Sequence, residues 1–496
     1  MDATVYLDTH AHVGTIDRRI FGGFLEHLGR AVYQGVYDPE SPLADGQGLR
    51  RDVITALARL EMPCVRYPGG NFVSAYDWKQ GIGPKQTRPR RPDFAWQSIE
   101  TNEFGTDEFM RWCGELKTRP MLAVNLGTGS VSAAGELVEY CNMSGGTLWS
   151  DQRRRNGHAD PYGVELWCLG NEMDGPWQAG HVPAEVYAQR AAQAAKLMKG
   201  LDGTIKTIAC GSSGRGIPTY MHWDRTVLEY GWDVIDYISA HRYSSNSEGS
   251  AHFLAEGVEI DRILADYRGL LDFVRGLKRS DKKVYVSFDE WNVWYRATGM
   301  SGNWEVAPHL LEEVYNLEDA LVCAQYLMSF LRHADLVKVA CIAQIVNVIA
   351  PILTRRDGLL IQSIFYPFEI ISRLARGNSL IPMVDSPVYQ AGSRGDVAVC
   401  DAAVSFEVES QKLAIFVANR NLHADLTVQI KIADRIITGI LQSRAIGGGD
   451  IKRCNTWECP TAVEPVAAEC GLAGGHLQIK IPAPGFCAVQ VATSRR

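Results

Sequence analysis

The chain has 496 residues, 46% apolar and 22% charged, with 12 Trp spread along it; this excludes disorder and describes a protein with a large core. A net charge of −7 and a pI near 6.0 exclude the concentrated basic face of a nucleic-acid binder. One ordinary domain is too small for this length, whereas a barrel of ~250 residues or more with a companion domain fits it.

The first segment, "ATVYLDTHAHVGTI", alternates apolar and polar residues. It predicts a strand, placed with residues 1–18 in a sandwich that the C-terminal region completes. It has no basic region followed by an apolar core, so no export signal is expected. From about residue 20, short apolar runs end on polar or Gly-rich turns: "IFGGFLEH" around Glu26, "CVRYPGGN" on Asn71, "PMLAVNLGTG" around Asn125 and "VELWCLGNE" on Glu172. "IKTIACGSS" follows, then "VIDYISAHRY" with His241 and Tyr243, "KKVYVSFDEW" with Glu290, and "VKVACIAQIVN" reaching Gln344 and Asn347. Between these strand candidates lie stretches such as "DVITALARLE", "TDEFMRWCGELK" and "IDRILADYRGLLDFVRGLK", apolar at helical spacing and charged on the other face. Strands rich in Val, Ile and Leu alternating with helices predict a parallel sheet covered on both faces. Over residues 19–384 that reads as a (β/α)8 TIM barrel. From 385 to 496, alternating runs broken by Gly, Asn, Asp and Pro predict antiparallel strands in a β-sandwich or jelly roll.

The basic stretch Lys85 to Arg91 is broken by Pro89 and flanked by Pro84 and Pro92, and reads as a solvated loop. No segment reaches the ~18 uncharged apolar residues of a membrane span. The 12 cysteines include no C-x-x-C pair and read as reduced thiols in a cytoplasm. Neither a membrane nor a nucleic-acid partner is expected.

In such a barrel the C-terminal strand ends share one mouth, where these enzymes keep their active sites. Glu26, Asn71, Asn125, Asn171, Glu172, His241, Tyr243, Glu290 and Gln344 therefore converge. Glu172 and Glu290 end the fourth and seventh strands, 290 − 172 = 118 residues apart. Two carboxylates facing across a mouth suit glycosidic-bond cleavage: one protonates the leaving oxygen while the other attacks the anomeric carbon or activates water. A separation of ~5–5.5 Å gives retention and ~6.5–9.5 Å inversion. One such Glu could equally cap a helix or pair with an Arg, but two in an Asn- and Trp-rich setting favour a sugar site. Sugars present flat C–H faces and hydroxyl edges, which aromatic rings and Asn, Gln or carboxylate groups match. Trp78, Trp96, Trp177, Trp291 and Trp294 lie near strand ends.

Two other motifs are weaker. "NLGTGSVSAAG" offers Gly127 and Gly129, but Ser132 stands where a dinucleotide fingerprint needs its third glycine, so no cofactor is expected. His10 and His12 form H-x-H without an evident third ligand, so no metal is expected.

The segments "FLEHLGRAVYQGVYD", "RYPGGNFVSAYDWKQGIGP", "TNEFGTDEF", "WCLGNEMDGPWQ", "SFDEWNVWY" and "AQIVNVIAPI" resemble those of the α-L-arabinofuranosidases of glycoside hydrolase family 51. The resemblance spans about residues 20 to 370 in ordered blocks. It implies a barrel with a C-terminal jelly roll and a retaining, exo-acting hydrolysis of arabinose-containing oligosaccharides. By motif matching it implies Glu172 as acid/base, Glu290 as nucleophile, Glu26, Asn71, Asn171 and Gln344 on the arabinose hydroxyls, Tyr243 orienting the nucleophile and Trp96 shaping the pocket. His241 is expected either to line the pocket or to make a structural hydrogen bond, and Asp174 only to begin the loop beyond the strand. A homo-oligomer, hexameric as in similar intracellular members, is implied by the resemblance alone. Asp357, Gly358 and Leu359 depart from the family's loop, which leaves aglycone preference open. The nearest rival is a β-xylosidase or endo-glucanase of the same clan, and a more remote one a non-catalytic carbohydrate-binding protein.

Overall fold

A computed structural model describes residues 1–296 and 299–496. Eight parallel strands close into a barrel in chain order: β1 (Gly22–Phe24), β2 (Cys64–Tyr67), β3 (Arg119–Ala123), β4 (Leu166–Leu169), β5 (Lys206–Ala209), β6 (Tyr237–Ser244), β7 (Tyr285–Val293) and β8 (Val337–Ala343). The ring closes where β8 pairs with β1, Cys341 opposite Gly22 and Ala343 opposite Phe24. Only glycine fits at position 22, because a Cβ there would lie 2.8 Å from the Ala340 carbonyl oxygen and 2.9 Å from Cys64 Sγ.

Helices cover the outside of the barrel, among them Arg51–Ala58, Thr106–Leu116, Ala184–Leu201, His222–Gly231 and Glu256–Lys278. Strands such as "CVRY" and "LWCL" are buried on both faces, which is why they lack the alternation of a half-exposed strand. Helix Leu317–Arg332 is buried along its whole length except at Arg332. It lies between the barrel and the second domain, where Arg332 donates to Asp401 at 3.0 Å and Arg420 donates to Gln325 at 3.2 Å.

The second domain is two packed sheets. One holds Met383–Asp385, Asp2–Leu7, Leu426–Ile432, His476–Ile481 and Glu469–Ala473; the other holds His12–Thr15, Asn378–Leu380, Cys400–Glu407, Lys412–Asn419, Gly485–Arg495 and Arg435–Gly447. The N-terminal segment, read as a single strand, is two, one in each sheet. Asp2–Leu7 runs parallel to Leu426–Ile432, the one parallel pairing among otherwise antiparallel neighbours in these two sheets. Asn378–Leu380 and Met383–Asp385 join the sheets ahead of residue 385; three-residue strands are too short to show alternation.

All 12 cysteines are free, and Cys459 alone is exposed. Among the described residues no helix is long and apolar enough to cross a membrane.

Candidate active site

β4 enters the barrel mouth fully buried and is stopped by Gly170 at φ +95°. Glu172 follows at φ 43°, in the left-handed region that costs a non-glycine residue about 1 kcal/mol or more. The turn is closed by the Gly175 N–H donating to the Glu172 carbonyl at 2.8 Å, and from behind Tyr187 donates to the Leu169 carbonyl at 2.8 Å.

β7 reaches the same mouth with a bulge. Ser287 pairs with Ser239, yet Glu290 pairs with His241, so three steps on β7 match two on β6. The same slip recurs against β8 between Phe288 and Trp291. A bulge disrupts the strict in-and-out alternation of a strand, and here the consecutive Asp289 and Glu290 both face His241.

The geometry centres on that imidazole. Its Nδ1 lies 2.9 Å from Glu172 Oε1 and 3.6 Å from Glu290 Oε2, and its Nε2 lies 2.9 Å from Asp289 Oδ1. One carboxylate oxygen of Glu172 and one of Glu290 lie within 4.8 Å of each other, a close approach that fits the shorter spacing of a retaining pair better than the wider, water-holding spacing of an inverting one. Glu290 is gripped on both oxygens, by Arg66 Nη1 at 2.7 Å and by the Tyr243 hydroxyl at 2.9 Å. Arg66 Nη2 also donates to Asn171 Oδ1 at 2.6 Å. Asn171 Nδ2 in turn donates to Asn71 Oδ1 at 3.2 Å, which receives Gln178 Nε2 at 2.6 Å as well. The second oxygen of Glu172 accepts from Trp177 Nε1 at 2.9 Å. Glu26 accepts from the Phe72 N–H at 2.9 Å, Trp96 Nε1 at 3.1 Å and Gln344 Nε2 at 3.3 Å.

Burial and the neighbouring charges together set the charge states, and burial wins at Glu26. It pushes the Glu26 carboxyl up to about 8, with the charge of Glu290 adding to the effect, so Glu26 carries a proton at neutral pH. Burial opposes the charge of His241, but Glu290 and the bonds to Asp289 and Glu172 outweigh it and raise the imidazole well above its ordinary range. Burial likewise opposes ionised Asp289, yet Arg66 and His241 hold it below the usual carboxylate range. The Tyr243 hydroxyl is pushed up by burial and by Glu290 and remains a donor.

Nine residues named from the sequence stand at the mouth, in two bonded groups: Glu26 with Trp96 and Gln344, and Asn71, Asn171, Glu172, His241, Tyr243 and Glu290 around Arg66 and the imidazole; the charge of Glu290 reaches Glu26 across them. Asn125 belongs to neither group. Its Oδ1 accepts the N–H groups of Gly127, Thr128 and Gly129, each at 3.0 Å, so the loop that looked like a phosphate cradle spends its amides on a side chain. Trp78 donates to the Ala133 carbonyl and Trp291 stacks on Tyr326 in the core, while Trp294 meets Tyr243 edge-on at 5.1 Å. Asp174 accepts from the Ser213 N–H at 2.9 Å. Arg66, Asp289 and Gln178 were not visible from sequence. Arg66 is hidden inside an all-buried strand, and alternation would send Asp289 away from the face that Glu290 occupies.

Two groups among the described residues gather three ligating atoms within 4.8 Å: Glu172, His241 and Glu290, and Asp8, His10 and Asp434. In the first, both Glu290 oxygens are already bonded and a guanidinium stands beside them, so a dication would meet a fixed positive charge. In the second, His10 pairs with Asp8 at 3.0 Å, and Asp434 lies 3.5 Å from Arg435 Nε. His12 instead turns its Nδ1 to the His10 carbonyl. The H-x-H pair is therefore no shared site, and further ligating groups do stand beside His10.

Residues 56–257 match the family model described as "Alpha-L-arabinofuranosidase 1 domain" and residues 289–484 "Alpha-L-arabinofuranosidase C-terminal domain". An "Intracellular exo-alpha-(1->5)-L-arabinofuranosidase 1" of Bacillus subtilis (strain 168) is 46% identical, over 84% of this chain and 85% of its own. The chain belongs to the family 51 α-L-arabinofuranosidases. A solved family 51 α-L-arabinofuranosidase from Bifidobacterium longum superposes on the enzyme with a TM-score of 0.94, at 37% identity and covering 99% of each chain. Another Bifidobacterium longum relative, an "Exo-alpha-(1->6)-L-arabinofuranosidase", is 40% identical over 92% of this chain and 90% of its own. The fold and the glycoside hydrolase activity implied by the sequence resemblance both hold. In the enzyme, Asp357, Gly358 and Leu359 belong to a hairpin of Ile352–Arg355 with Gly358–Ile361. Arg50 fixes it by donating to the Arg355 and Gly358 carbonyls at 3.1 Å each. Arg355 lies over the ring of Trp457, 4.6 Å from its centre, which ties the loop to the C-terminal region.

Proposed function

We propose that the enzyme removes terminal non-reducing α-L-arabinofuranosyl residues from oligosaccharides derived from arabinoxylan or arabinan, with Glu290 as nucleophile and Glu172 as acid/base. The observation that carries this reading is the approach of their carboxylate oxygens to within 4.8 Å at the barrel mouth. Glu290 attacks the anomeric carbon while Glu172 protonates the leaving oxygen. Glu172 then takes a proton from water, which attacks the same carbon and frees Glu290. Arg66 and Tyr243 balance and orient Glu290 through one oxygen each. Glu26, as a neutral acid, offers a sugar hydroxyl both a donor and an acceptor, and Asn71, Asn171 and Gln344 supply amide partners beside it. Trp96 walls the pocket, and His241 sits between the two carboxylates. Bonds that tighten as charge develops on the sugar ring raise the rate as well as the affinity.

A cytoplasmic location is supported by the word intracellular in the Bacillus subtilis relative's name and by the 12 free cysteines. A homo-oligomer, hexameric on family resemblance, is part of the same reading.

A panel of nitrophenyl α-L-arabinofuranoside, β-xyloside and β-glucoside tests the substrate. The arabinofuranoside is expected to lead by about 10²-fold in kcat/KM, the scale that sugar-contacting groups set. A lead for xyloside or glucoside would replace the substrate with that of the clan's xylosidases or glucanases and leave the double displacement standing.

A further inference from the structure

We propose that Asp289 is a positioning residue for this reaction: it anchors the Nε2 proton of His241 and thereby couples the proton of Glu172 to the imidazole between the two carboxylates. The proposal rests on the reading of Glu172 as acid/base.

A neutral imidazole has one N–H, yet both ring nitrogens here face carboxylate oxygens at 2.9 Å. Ionised carboxylates only accept. Because Arg66 and His241 hold Asp289 ionised against its burial, Glu172 and His241 must share a proton, as imidazolium beside carboxylate or as neutral imidazole beside carboxylic acid. In both arrangements the Nε2 proton is directed at Asp289. Asp289 Oδ2 is taken by the Ser287 hydroxyl at 3.1 Å, which leaves Oδ1 to the ring. At 1% exposure its charge is poorly screened and reaches the ring at close to full strength. The titratable and charged groups that face the pair are few. Glu172 and Cys168 come from the β4 side, Cys210 from the end of β5, Glu290 from β7, Arg66 from β2 and Cys341 from β8. Burial keeps all three thiols neutral, so only Arg66 opposes the pull of Asp289 on the shared proton. When Glu172 gives its proton to the leaving oxygen, the Glu172–His241 unit loses one proton, and the attacking water returns it in the second step.

The pH profile of kcat/KM for Asp289→Asn beside the unaltered enzyme tests this. Asn keeps the shape and removes the charge, so the unit holds its shared proton less tightly and the basic limb moves to lower pH by about one unit or more. Asp289→Glu, which restores the charge, moves the limb back. Unchanged limbs with a uniformly lower rate reveal packing alone and overturn the proposal. Should Asp289→Asn fail to fold, ¹⁵N-histidine spectra of the unaltered enzyme decide. Nε2 of His241 is expected to keep its proton throughout, with the ring titrating at Nδ1 and well above the ordinary range of a free imidazole. A ring whose neutral form carries its proton on Nδ1, or that titrates within that ordinary range, overturns the proposal. The role of Glu172 is read separately, from whether Glu172→Ala keeps its rate on activated aryl glycosides, so failure of one reading is not mistaken for failure of the other.

Discussion

The barrel mouth and the sandwich interior are both buried, but they are built from opposite materials. Between the two sheets lie Val404, Ile415, Val417, Val428, Ile430, Ile479 and Val489, all fully buried. The mouth instead buries Glu26, Arg66, Asn171, His241, Asp289, Glu290 and Gln344. Apolar burial stabilises by roughly 25 cal/mol per Å², whereas buried charges that are paired and bonded come close to breaking even. The sandwich therefore contributes stability, and the mouth holds groups whose value is realised on substrate. Changes in the sandwich should move folding and leave rate alone, whereas changes in the mouth should always move rate, with folding following where a buried charge is stranded.

Arg66→Ala presses this contrast hardest, since it strands both Glu290 and Asn171. A loss of about 10²–10³-fold in kcat is expected, with stability falling by roughly 3 kcal/mol because a buried carboxylate loses its countercharge. Intact turnover in steady-state kinetics would mean that the ion pair is only structural. Ile415→Ala is the converse. With its side chain wholly buried, urea unfolding should show a loss of about 2–5 kcal/mol, while kcat per folded molecule stays as it was. A fall in kcat would show that the sandwich feeds the mouth. Glu26→Gln has the most specific signature. The Glu26 carboxyl sits at about 8 in the fold against an ordinary 4.5, so the folded chain binds more protons than the unfolded one between those values. Its contribution to stability is present below about 4.5 and is lost as pH rises through about 8. Glu26→Gln should flatten that decline in unfolding midpoints measured across this range. An unchanged slope would mean that Glu26 is ionised in the fold.

Much of the mouth was legible because a barrel converts strand order into position. Apolar runs ending on Asn171-Glu172 and on Glu290 had to meet at the same end. Arg66 escaped notice because it sits inside "CVRY", where burial on both faces erases any alternation that would mark it. Asp289 escaped because the bulge on β7 changes the register by one residue, and a bulge leaves no compositional trace in "SFDEW". The sandwich was legible in type but not in its edges. Which sheet takes Asp2–Leu7 and which takes His12–Thr15 depends on partners hundreds of residues away, and local pattern cannot record that.

The central claim, that Glu290 attacks and Glu172 exchanges the proton, is tested most directly by the anomeric configuration of the azide products from the two alanine variants, read by proton NMR. With Glu172→Ala, azide should intercept the glycosyl-enzyme and give the α-arabinofuranosyl azide. With Glu290→Ala it should take the place of the nucleophile and give the β-azide. The reverse pairing would contradict the assignment and exchange the roles of the two carboxylates.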